Sequence, residues 1–410
     1  MCKRSGKQMH SAMTRRQWLA ASGAGLVAVA HAGTELRGAV TPPADPVSVG
    51  KYPGYGKGLV EQLARQFDQI GGLGTLMRGK TVTVKLNLTG SGQFPGFTEG
   101  QTYWVHPDMV GACCALFGKA GARRVRLVEG TYEGESLEDK MLDAGWDVKA
   151  IRNAAPVVEF VQTSTRGKAR NYSRLKVPHP YIFPAFDVNW AYAETDVFVS
   201  LAKMKQHEEC GLTLAIKNMF GVPPISTYGD DAGIDEPNEN PRKAREEIMH
   251  YGNRPPSKSA LPELDPKSDR YEGYRVPRIC VDMAMARPID LAIIDGIETC
   301  TTGEGPWVTG ARHVKPGVVV LGRNMVTTDT VAAAVMGFDP RAGRGQGPFR
   351  PAKTHPDERP YKNDPRWADN PMLLAEAKGL GSAEPNRIEV RGVPIAAARF
   401  DFAAPAALKK

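Results

Sequence analysis

Three near-continuous apolar runs constrain this chain more than any other feature: FVSL at 198–201, LAII at 291–294 and VVVL at 318–321. A strand with one wet face alternates apolar and polar residues. Runs without alternation belong to strands covered on both faces, which is the habit of parallel sheets flanked by helices. The segments between them carry helix signals. HPDMVGACCALFGKAGA opens with Pro107 and closes at Gly121, the expected start and stop. SLEDKMLDAG offers Ser136 as N-cap with Asp139 three residues on. Strands alternating with helices predict an α/β fold: a mostly parallel sheet with helices on both faces.

Further elements follow the same logic. A helix is expected near Leu59–Ile70, and TVTVKLNL at 81–88 reads as a strand with Val82, Val84 and Leu86 on one face. RRVRLVEG and NRIEVRG are strands, TTDTVAAAVMGFD and PMLLAEAKGLG are helices, and ECGLTLAIKNMFG reads as one helix after strand TDVFVSL. Residues 156–192 read as a less regular β region. Two polar excursions, 226–274 and 341–368, are too long for ordinary connections and read as lids or subdomains. The Pro/Gly-rich piece 33–56 reads as a linker, 57–395 as the α/β domain and 396–410 as a tail.

The N-terminus reads as a twin-arginine leader over 1–32. TRRQWLA is followed by the apolar ASGAGLVAVA and by Ala30-His31-Ala32, an A-x-A cleavage site. Met13 is a second candidate start. The expected partner is the twin-arginine export machinery and the expected location periplasmic or otherwise exported. The apolar core is too short for a stable membrane span, which takes ~20 residues. Of the formal charge of +8, five units lie in residues 1–32, leaving +3 for the rest. That balance does not point to nucleic acid, which asks for a dense basic face. The cysteines, Cys2, Cys113, Cys114, Cys210, Cys280 and Cys300, form no C-x-x-C, so an iron–sulfur cluster has no motif. A Cys210–Cys300 pairing stays open.

Chemistry is expected where strands end, because ligands of open α/β sheets bind beyond the carboxyl edge. Five ends turn polar together. They carry Lys85 and Asn87, Glu129, the AKMKQH run with Lys203, Lys205 and His207, Asp295 with Glu304, and Arg323-Asn324 with Asp329. Lys217 and Asn218 follow in an apolar helix. A buried unpaired ammonium is costly, so Lys217 needs Asp295, Glu304, Glu129 or a bound anion, unless it snorkels to water. Lysine suits a phosphate or carboxylate. GEGPW and TGSG could bring backbone N–H groups to an anion, but neither is a P-loop.

AKMKQH with GLTLAIKNMFGVPP resembles the central signature of domain-of-unknown-function family 362. VKLNL, DLAIIDGI…GEGP and LGRNMVTTDTVAAAVMG are similar to its other motifs, in order, over about residues 80–340. KAREEIMH resembles its short acidic helix ending in His, here His250, with Glu246 and Glu247 a turn before it. The resemblance implies no settled activity. The ferredoxin-like cysteine clusters of some members are missing here, which argues against electron transfer through one. Two functions are expected. The first is an enzyme acting on a small anionic molecule bound by Lys85, Asn87, Lys203, Lys205, Lys217 and Asn218, with His207 or His250 carrying protons. The second is a non-catalytic anion- or metal-binding protein. A metal ion is a candidate cofactor, with Glu129, Asp295, Glu304 and Asp329 its acidic candidates.

Overall fold

The computed structural model describes residues 41–90, 92–131, 135–167, 171–349 and 368–403. The expected twin-arginine leader, 350–367 of the second excursion and 404–410 of the expected tail lie outside the described residues.

Eight strands form one sheet. They are β1 (Val47–Lys51), β2 (Thr81–Lys85), β3 (Arg124–Glu129), β4 (Val158–Gln162), β5 (Val197–Lys203), β6 (Leu291–Gly296), β7 (Val318–Gly322) and β8 (Val390–Gly392). Their spatial order is β8-β1-β7-β6-β5-β2-β3-β4. All run the same way except β7, which is antiparallel to both β1 and β6. The fold is α/β with a mostly parallel sheet. Alternate residues divide between two cores: Val197, Val199 and Leu201 face one, Phe198 the other. Helices α1 (Leu59–Gln69) and α2 (Pro107–Lys119) pack in the first core. Helices α3 (Ala215–Asn218), α4 (Glu272–Ala286) and α5 (Met325–Val335) pack in the second.

The local signals hold. Pro107 opens α2, and the Ser136 side chain accepts from Asp139 N at the start of the helix Leu137–Asp143. Three expectations need correction, and one pairing left open is resolved. Residues 47–51 of the expected linker form β1, because the short VSV alternation pairs with β7 and β8, which lie far away in sequence. The described part of the expected tail, 396–403, is packed: Phe400 N and Phe402 N donate to Val335 O and Met336 O at the end of α5. ECGLTLAIKNMFG is not one helix. Gly211 adopts φ 75° and closes a hairpin of Lys205–His207 with Gly211–Thr213, and only then does the four-residue α3 begin. Finally, the Cys210–Cys300 pair does not form. The described cysteines are free, and Cys300 Sγ faces Gly303 O at 3.7 Å.

Among the described residues, no helix is long and apolar enough to cross a membrane.

Candidate functional site

The chain leaves β2 toward β3 and β4, then returns to place β5 on the other side of β2 and continues to β6. Strand order therefore reverses between β2 and β5, and the connections diverge there to leave a crevice. Two asparagines bridge it. Asn87 Oδ1 accepts from Lys203 N at 3.2 Å. Asn218 Nδ2 donates to Lys85 O at 3.3 Å and to Ser200 Oγ at 3.1 Å, tying α3 to both strands.

A cavity of about 330 Å³ opens above this point. Its lining includes Lys85, Asn87, Glu129, His207, Glu209, Lys217, Asn218, His250 and Glu304. The first polar excursion supplies His250 from a π-helical turn, Glu246–His250, whose Ile248 and Met249 are buried. A larger hollow of about 720 Å³ lies by Phe94, Glu99 and Trp104. Its ammonium, Lys140, already pairs with Glu135 at 3.1 Å, so the smaller cavity is the stronger candidate.

The lysines of AKMKQH do not gather in the cavity. Lys203 continues the odd-numbered row of Val197, Val199 and Leu201, on the sheet face opposite the one that α3 covers. Its Nζ lies 3.0 Å from Asp295 Oδ2 and donates to Tyr55 Oη at 3.0 Å. Asp295 also accepts from Tyr55 Oη–H at 2.8 Å and from His106 N at 3.1 Å. Tyr55 stacks on His106 with ring centroids 3.5 Å apart. Lys203 and Asp295 are a buried structural pair. Lys205 Nζ donates to Tyr103 O at 2.7 Å and Glu304 O at 2.6 Å, so it braces the loop that carries Glu304. Lys85, on the α3 side of β2, pairs with Glu129 at 2.5 Å, and Glu129 also accepts from Leu88 N and Gly130 N. Gly221 fits against this pair; a Cβ there would meet Lys85 Nζ at 2.9 Å. Burial lowers the pKa of Lys85 and Lys203, and of Lys205 to about 8.

Asp329 is likewise elsewhere. Because β7 runs backwards, its carboxyl end lies at the opposite sheet edge, where Arg323 donates to Gly72 O. Asp329, a turn further on, accepts from Ala215 N and Ile216 N, both at 2.9 Å, and caps α3. Burial pushes its carboxyl up to about 7.

Lys217 differs. Its Nζ sits 4.7 Å over the Phe220 ring, and among the described residues it forms no ion pair. Around it stand two triads. His207, Glu209 and Glu304 bring ligand atoms within 4.8 Å of one another, and so do Glu209, His250 and Glu272. His207 Nδ1 is 2.7 Å from Glu209 Oε2 and 3.9 Å from Glu304 Oε2; His250 Nδ1 is 3.4 Å from Glu272 Oε1. Burial first, then the Lys217 charge, pulls the His207 pKa well down, leaving a neutral imidazole. Burial also pulls on His250, but the Glu272 hydrogen bond and the Glu209 and Glu272 charges outweigh it and raise its pKa. Neutral imidazole with carboxylates is a donor set for borderline divalent ions.

Sequence reasoning reached His207, His250, Glu304 and Lys217 but not Glu209 or Glu272. Glu209 had a usable signal, lying two residues after His207 in a polar turn. Glu272 had none: it opens α4, and only folding brings it beside His250. Of the two acids a turn before His250, Glu246 lines the same cavity, while Glu247 accepts from Asn253 Nδ2.

No curated protein matches the chain. The order of motifs that frame this cavity, from the Lys85 strand to α5, coincides with one family model. The chain belongs to the family described as Domain of unknown function (DUF362), whose model matches residues 82–334.

Proposed function

We propose that this chain is an exported, metal-dependent enzyme acting on a small anionic substrate in the cavity beyond β2 and β5. The observation that carries this reading is the contrast among the lysines. Lys85, Lys203 and Lys205 are committed to protein acceptors, while Lys217 lines the cavity without an acid partner among the described residues. His207, Glu209 and Glu304 would hold the metal ion, which would polarise a bound oxygen and stabilise developing negative charge. Lys217 would orient the anion as a compact charge with three donors. Phe220 and Trp307 would give the cavity part of its apolar lining.

The test uses full-length metal-reconstituted protein. Calorimetry with inorganic phosphate and with small carboxylates should show binding that Lys217→Met weakens. A panel of phosphate and carboxylate esters should show turnover. Stoichiometric binding without turnover on any of them would favour a non-catalytic binding protein. Binding that is indifferent to Lys217 would remove the basis of the proposal.

A further inference from the structure

We infer that the cavity binds two divalent metal ions, with Glu209 ligating both. The inference rests on the metal-dependent reading above and extends it to a second ion held by Glu209, His250 and Glu272.

Charge is the first argument. Glu209, Glu272 and Glu304 have side-chain exposures of 18 %, 14 % and 10 %. Among the described residues, none of the three forms an ion pair with a lysine or arginine; their ion-pair partners are His207 and His250. Three nearly buried carboxylates facing one cavity repel one another unless a cation joins them. Lys217 offers one positive charge, which leaves the set net negative and favours bound divalent cations.

Geometry is the second argument. Glu209 is common to both triads, with its ligand atom within 4.8 Å of those of His207 and Glu304 and of those of His250 and Glu272. A carboxylate has two oxygens and can bind one ion through each. The remaining ligands fall into matched halves, one imidazole and one carboxylate on each side. The supporting contacts are also matched. Trp307 Nε1 donates to Glu304 Oε1 at 2.9 Å, and Tyr251 Oη donates to Glu272 Oε1 at 2.7 Å. Each outer carboxylate is thus held by an aromatic donor, an arrangement that orients ligands before an ion arrives. Among the described residues, no thiol lines the cavity, so the donor set is nitrogen and oxygen, suited to manganese, iron(II), cobalt or zinc.

The experiment is a metal titration of the chelator-stripped full chain with Mn²⁺ and with Zn²⁺, read by calorimetry and elemental analysis. Two equivalents are expected. Glu272→Gln and Glu304→Gln should each retain one equivalent. Glu209→Gln should weaken both, by more than the 10- to 100-fold that loss of a supporting contact costs. The doubly loaded Mn²⁺ protein should give an exchange-coupled paramagnetic resonance spectrum. Circular dichroism verifies folding, and the wild-type stoichiometry and resonance spectrum decide the matter if a variant does not fold. One equivalent in the wild type, unaffected by Glu272→Gln, overturns the second ion and leaves the single-metal reading intact. No bound metal overturns both. Two equivalents with isolated-ion spectra overturn the shared Glu209.

Discussion

Lys203 Nζ and Asp295 Oδ2 lie 3.0 Å apart with both side chains fully buried, at the ends of the neighbouring strands β5 and β6. The pair is a cross-strand lock, and its energetic signature differs from that of a ligand-binding lysine. Removing one partner of a buried pair leaves the other charge without compensation. Lys203→Met should lower stability by about 3–5 kcal/mol in chemical denaturation. Lys203→Met combined with Asp295→Asn should recover part of that loss. An unchanged denaturation midpoint for the single variant would contradict the lock.

Lys217 should behave in the opposite way. It loses a cation–π contact with Phe220 worth about 0.5–1 kcal/mol and no ion pair. Lys217→Met should therefore leave metal-free stability nearly intact. A charge-assisted hydrogen bond contributes ~1.5–3 kcal/mol, so phosphate affinity should fall by about one to two decades. A large loss of ligand-free stability would show that Lys217 has a structural partner.

Asp329 gives a pH prediction. Burial raises its folded pKa to about 7, whereas an unfolded aspartate titrates near about 4. Between these values the native state holds a proton that the unfolded state has released. The contribution of this group is full below about pH 4, declines as pH rises to about 7, and is constant beyond. Asp329→Asn lacks that decline. The stability advantage of wild type over Asp329→Asn, measured by urea denaturation, should shrink from pH 4 to pH 7. A difference that widens over that range would mean the carboxylate is ionised on α3.

The expected twin-arginine leader, on residues outside those described, can be tested in cells. Replacing Arg15 and Arg16 by lysine should leave the precursor in the cytoplasm on fractionation. Export unchanged by the double replacement would rule out that route.

Most of the frame was legible because it rests on local rules. The apolar runs named β5, β6 and β7, Pro107 and Gly121 bracketed α2, and Ser136 announced its helix. Motif order pointed to the family. The strand ends with Lys85, Glu129, His207 and Glu304 do meet near one cavity.

Sequence alone could not orient β7 or recruit Val47–Lys51 into the sheet, since an apolar run reads the same for either strand direction and pairing is long-range. The reversed direction of β7 removed Asp329 from the site. Likewise, closeness along the chain grouped Lys203 and Lys205 of AKMKQH with Lys217 of the next segment. The two-residue period of β5 sends Lys203 to one core, while the hairpin turn at Gly211 brings α3 and Lys217 over the other. Glu209 and Glu272 join the imidazoles because the packing of α4 against α3 and the π-helical turn closes a gap of more than 60 residues. Local pattern determined which segments became strands and helices; the sheet's handing of alternate residues to opposite faces decided which charges could meet.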